Sequence, residues 1–130
     1  MTMTEPRFSS QRLSDLPRSF GYAGAGLRYL VRSQRNARIH LVLSLAAMGL
    51  ALWLGLRPLE WAVLVLTIGF VLASEAFNTA IEATVDRIGP EAHRLSKIAK
   101  DTAAAGVLIA ALTAIGVAVC LFVPRLLAQW

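Results

Sequence analysis

Glu75, Asn78, Glu82 and Asp86 follow one another at spacings of three, four and four residues inside an otherwise apolar stretch. At the helical period these spacings bring all four side chains into one narrow sector, with Phe70, Leu72, Phe77 and Ile81 as the apolar surround. Carboxylates and an amide in that order can accept a proton and offer hard oxygen ligands to a cation. An ionised carboxylate at membrane depth costs several kcal/mol unless it is paired, solvated or metal-bound, so the stripe cannot face lipid and marks a candidate functional site.

The elements that must carry this stripe are apolar helices. In 130 residues, 56% are hydrophobic and 16% charged, with a mean hydropathy of +0.58, which is too apolar for a soluble domain of this size. Three apolar segments stand between the charges, over about 39–56, 61–88 and 102–124, each long enough for a bilayer core that needs roughly 20 helical residues. The second overshoots, so the turns from about Glu82 to Arg87 should emerge at a membrane surface. Gly89 and Pro90 then stop that helix, glycine by tolerating a left-handed end and proline by its missing N–H. The lone Cys120 sits in an apolar run and reads as a small buried hydrophobe.

Ahead of the spans, the segment from Phe20 to Arg38 sets Arg28, Arg32 and Arg35 opposite Leu27, Leu30 and Val31, the pattern of a helix lying in the headgroup plane. The expected fold is an all-α membrane protein, with an N-terminal amphipathic surface helix plus three transmembrane helices. It has a flexible polar N-terminus over 1–16 and a single integral-membrane domain over 17–130. Seven arginines lie between Arg7 and Arg38, and Arg87, Arg94, Lys97 and Lys100 separate spans two and three, whereas the opposite loop holds only Arg57 and Glu60. By the positive-inside rule the N-terminus is cytoplasmic and the C-terminus, with Arg125, lies outside. The emerging end of the stripe and the cluster of Arg94, Lys97, Lys100 and Asp101 then share the side where ATP is found.

Plainer roles compete for several of these residues. Asn78 and Thr79 suit hydrogen bonds between membrane helices, Asp86 suits an ion pair with Arg87 or Arg94, and His40 and His93 suit interfacial hydrogen bonding. Trp53, Trp61 and Trp130 fit interfacial belts. Gly21, Gly24 and Gly26 follow no strand, so they suit close helix packing rather than a phosphate cradle, and the small residues from Ala103 to Gly106 suit tight helix contacts. Nothing resembles a zinc cluster or a nucleic-acid surface; the positive charge belongs to topology and anionic headgroups. A proton or cation pathway lined by Glu75, Glu82 and Asp86 is a rival, although between Trp61 and Phe70 only Thr67 offers a polar step. A non-catalytic assembly protein is another.

The run from Glu75 to Ala83, then Val85-Asp86-Arg87, Glu91-Ala92-His93 and Ala99-Lys100-Asp101, resembles the signature of the small prokaryotic diacylglycerol kinases and undecaprenol kinases. The likeness extends from about Phe20 to about Val123, and Arg35-Asn36, Ile39-His40 and Glu60-Trp61 look closer to the undecaprenol branch. The resemblance implies a homotrimeric lipid kinase in the bacterial cytoplasmic membrane, using magnesium ATP to phosphorylate a lipid hydroxyl at a site shared between neighbouring subunits. It makes Glu75 the general base, Asn78 a positioning group and Glu82 a ligand of Mg2+. It sets Tyr22, Glu91, His93, Lys100 and Asp101 near the nucleotide.

Phosphoryl transfer makes sense of these assignments, because it asks the protein mainly for an in-line hydroxyl, an acceptor for its proton and cations against the phosphates. Glu82 lies two turns beyond Glu75, roughly 10 Å along the helix, so the lipid hydroxyl and the phosphates would stack in that order. One position departs from the family. Gln34 stands where relatives carry a second metal-binding glutamate, and no Asp or Glu occurs between Asp15 and Glu60. An amide oxygen is the weaker magnesium ligand. The expected outcome is a weaker metal dependence or lower activity than in relatives, recovered by Gln34→Glu; an unchanged magnesium titration after that substitution would contradict it.

Overall fold

A computed structural model describes residues 16–89 and 94–129, and the described chain folds as four α-helices. They are α1 (Leu16–Ser33), α2 (Arg35–Trp53), α3 (Pro58–Ile88) and α4 (Arg94–Leu127). The expectations for the polar N-terminus up to residue 15, and for Pro90, Glu91, His93 and Trp130, fall outside the described residues. Helices α2, α3 and α4 are each long and apolar enough to cross a membrane. At 31 and 34 residues, α3 and α4 are about 46 and 51 Å long at 1.5 Å per residue, well beyond a hydrocarbon core of about 30 Å. Their ends therefore project into the interface, and α4 begins with the turn carrying Arg94, Lys97, Lys100 and Asp101.

The basic segment expected as one surface helix from Phe20 to Arg38 is two. Helix α1 ends at Ser33, Gln34 adopts an extended conformation (φ −102°, ψ 117°), and Arg35 to Arg38 form the first turns of α2. The amphipathic pattern runs through this break because arginine suits both a surface helix and the charged first turn of a span. Helix α1 packs on α2 and α3, while α3 and α4 form the most extensive pair. Among the described residues no Cβ added at Gly21, Gly24 or Gly26 would meet anything within 4 Å, so these glycines serve no close packing there, and the same holds for Gly106.

The hairpin between α2 and α3 is built from backbone hydrogen bonds. Leu56 N–H donates to Ala51 O and Gly55 N–H to Leu52 O, with Gly55 at φ +65°, which is the Schellman arrangement that ends a helix on a left-handed glycine. Pro58 opens α3, and Glu60 reaches back to accept the Arg57 N–H at 2.7 Å. Both Glu60 oxygens also accept from the Arg125 guanidinium at 2.8 Å, a forked bond that ties the start of α3 to the end of α4. Beneath it, Ala51, Leu56, Leu64 and Phe122 form the buried apolar cluster. Pro124 is accommodated in the last turns of α4, which run on to Leu127. At the other end of α3 the terminating Gly89 lies at φ +157°, ψ 154°, a region open in practice only to glycine, rather than the left-handed helical conformation expected.

Candidate active site

Helix α3 buries one face, and the polar stripe lies on it. Leu64 and Val71 continue along α3 into Glu75 and Thr79, all four buried, while Leu66 and Phe77 on the outward face are 75% and 71% exposed, as suits contact with lipid or another copy. Glu75 is only 2% exposed, so its carboxylate is held inside the helix bundle. Asn78 donates from Nδ2 to Glu82 Oε1 at 3.1 Å, one turn along the same face. Asp86, a further turn on, pairs with Lys100 of α4, and not with Arg87 or Arg94 as one sequence reading had it. Sequence separation misleads here, because α4 packs against α3 and so brings Lys100 to the end of the stripe.

These groups line a cavity of about 320 Å³. Its walls are Asn36 and His40 of α2, Glu75, Asn78 and Glu82 of α3, and Ala104, Val107, Leu108 and Ala111 of α4. Lys100 is one turn from Ala104 on α4, so its position at the end of the stripe also sets it beside the mouth. The small side chains of Ala104 and Ala111 leave the room that the cavity occupies.

Five hydroxyls elsewhere in the spans satisfy themselves. Ser44, Thr67, Ser74, Thr84 and Thr113 each donate to the carbonyl four residues back, at 2.7–2.9 Å. In contrast, Glu75 Oε1, Asn78 Oδ1 and Thr79 Oγ1 are buried without a hydrogen-bond partner. Thr79 thus does not bridge helices among the described residues. Unmet polar atoms at this depth cost roughly 1–3 kcal/mol each, and their concentration on one stripe is the pattern of a site shaped for an incoming group rather than for stability.

Beyond the polar cavity lies a second, apolar one of about 400 Å³, which shares His40 and Ala111 with the first. It runs between α2, α3 and α4 past Ser44, Ala47, Val71 and Ala114 to Leu64 and Ala118. Its far end meets the Leu64–Phe122 cluster. A polar route for ions along the stripe accordingly gives way to an apolar groove below His40, where Thr67 has already given its hydroxyl to Val63 O.

Among the described residues no group of three or more His, Cys, Asp or Glu side chains could hold a metal ion on its own. The donors present suit a cation that arrives with other ligands. Glu82 is a hard carboxylate at the cavity wall, Asn78 Oδ1 beside it is unpartnered, and magnesium commonly takes one or two carboxylates together with phosphate oxygens and water.

Of the residues singled out from the sequence, the fold gathers Glu75, Asn78 and Glu82 in one cavity, with Lys100 at its edge. Asp101 instead pairs with Lys97 on the exposed side of α4, and Tyr22 is 77% exposed on α1. Gln34 sits at the α1–α2 junction and does not line the cavity. His40 was assigned to the interface by sequence reasoning, yet its Nε2 stands 3.3 Å from Glu75 Oε1. Asn36, one turn away on α2, also joins the wall. Their spacing of four residues was the one signal available, and it is uninformative until α2 is docked against α3.

Comparison with known proteins agrees with this architecture. The family profile described as prokaryotic diacylglycerol kinase matches residues 21–122. The chain is 46% identical over 110 residues to a diacylglycerol kinase of Synechocystis sp., covering 84% of this chain and 63% of that relative, so it spans less than two thirds of that protein's length. It is 36% identical over 109 residues to the undecaprenol kinase of Bacillus subtilis, covering 84% of this chain and 89% of the relative. With the diacylglycerol kinase of Escherichia coli it shares 40% identity over 95 residues, covering 73% and 78%. A match across most of the described helices, with three membrane-crossing helices and the acid stripe within it, makes the chain a member of the prokaryotic diacylglycerol kinase family of lipid kinases.

Proposed function

We propose that the protein transfers the terminal phosphoryl group of ATP to the hydroxyl of a membrane lipid alcohol, diacylglycerol or undecaprenol, at the cytoplasmic face of the bacterial inner membrane. The observation that carries this reading is the junction at His40 and Ala111, where a cavity lined by acids adjoins an apolar groove. A lipid alcohol has the same two parts, a hydroxyl on a hydrocarbon chain. With its chain in the groove, the hydroxyl comes to the level of Glu75.

In the proposed reaction the lipid oxygen attacks the γ-phosphorus while the bond from that phosphorus to the β-phosphate oxygen breaks, and ADP leaves. Glu75, whose side chain lines the cavity, takes the hydroxyl proton on its carboxylate. A magnesium ion brought with the nucleotide would neutralise charge on the phosphates. Glu82 would hold that cation, and Asn78 fixes the Glu82 carboxylate through an amide hydrogen. Lys100 exchanges its Asp86 partner for phosphate oxygens, which the short reach between the ends of α3 and α4 allows. The packed α2–α3–α4 walls keep bulk water from the acceptor. Assembly as a homotrimer would bring a neighbouring copy to this mouth, and the excess of arginine and lysine at the same end supports its cytoplasmic placement.

Purified protein in mixed micelles with magnesium ATP and either diacylglycerol or undecaprenol tests this directly. Labelled phosphate is expected in the lipid phase with at least one acceptor. Absence of lipid product with both, from folded protein, would overturn the reading in favour of an ion pathway or a non-catalytic role.

A further inference from the structure

We infer that His40 is a positioning residue for the Glu75 base, an inference that rests on the lipid-kinase reading above. The two belong to different helices, His40 to the first spanning helix and Glu75 to the second, and meet at the floor of the polar cavity. Glu75 needs a partner there. A buried carboxylate without one is strongly destabilising, and the other walls supply no basic partner: α4 presents only apolar side chains to the cavity, while Asn36 and Asn78 are neutral amides. His40 Nε2 is the basic nitrogen within ion-pair range, at 3.3 Å.

The contact is incomplete in a way that suits the role. Although Nε2 is near, the ring N–H is not aimed at Oε1, and that oxygen carries no hydrogen bond. Hydrogen bonds at catalytic groups are often loose before substrate arrives and tighten in the complex. His40 also lines the apolar groove, so a chain entering the groove touches the imidazole. Chain binding can thereby press the ring toward Glu75 and turn the carboxylate into line with the hydroxyl. His40 moves no proton in this scheme. It donates one hydrogen bond and fixes an angle.

The test compares His40→Ala, His40→Gln and His40→Asn with the unaltered protein, each assayed in mixed micelles on an acceptor that the unaltered protein phosphorylates, with folded protein counted by gel filtration and circular dichroism. Glutamine places its amide nitrogen three bonds from Cβ, as Nε2 is, whereas asparagine falls one bond short. His40→Ala is expected to lower kcat about 10²-fold, the order of loss from misplacing a reacting group by about 1 Å, with KM for ATP unchanged. His40→Gln should recover most of that loss and His40→Asn little of it. A His40→Ala variant with unaltered kcat overturns the inference, as does one in which only KM for the lipid rises, since His40 would then be merely a wall of the groove. So does a His40→Gln variant as slow as the alanine variant. Failure of the unaltered protein to phosphorylate any acceptor would instead sink the kinase reading itself.

Discussion

Glu75→Gln is expected to reduce lipid phosphorylation by about 10²–10⁴-fold while the protein folds and migrates in detergent as before. The substitution is nearly isosteric, and the site is 2% exposed, so packing against α2 and α4 is preserved. It removes the ability of the carboxylate to take up the hydroxyl proton. The loss should fall on kcat rather than on KM for ATP, because the base acts on the hydroxyl and not on the nucleotide. Stability gives an independent readout. Replacing a buried carboxylate by an amide ends the cost of burying charge, so the glutamine variant should resist thermal unfolding at least as well as the unaltered protein. Retained turnover within about tenfold of the original would remove Glu75 from the base role, given the range that such groups contribute.

Glu82→Gln should act on the cation side of the same reaction. The amide keeps an oxygen that can accept the Asn78 bond, so the stripe stays ordered, but the negative charge is gone. The magnesium concentration for half-maximal rate is expected to rise, and kcat/KM for the nucleotide to fall about 10²-fold, of the order seen when one electrostatic partner of a transition state is lost. A double variant with Glu75→Gln should lose less than the product of the two effects, since groups that serve one transition state are not additive. An unchanged magnesium titration would show that Glu82 does not meet the cation. In that event the unpartnered Asn78 Oδ1 would be the next oxygen to test.

The fold was largely legible in the chain, for reasons specific to membranes. A helix must satisfy its own backbone in lipid, so long apolar runs between charged residues leave little choice of structure, and α2, α3 and α4 each overlap one of the three apolar segments. Ends were less legible. Arg35 to Arg38 read as surface helix because arginine is equally at home on an interfacial helix and at the start of a span, and only the extended conformation of Gln34 separates the two. The Glu60–Arg125 fork joins residues 65 positions apart and left no local trace.

The stripe is a local fact. Spacings of three and four residues on one helix dictate a common face whatever that helix packs against, so Glu75, Asn78, Glu82 and Asp86 announce themselves without any tertiary information. What faces the stripe depends on docking. His40 and Asn36 come from another helix, Lys100 reaches Asp86 from a third, and the apolar groove exists only where three helices leave space between small residues. Helical periodicity acts over a few residues and is written into the chain. Contacts between helices depend on rotation and depth of packing, which only the assembled bundle settles.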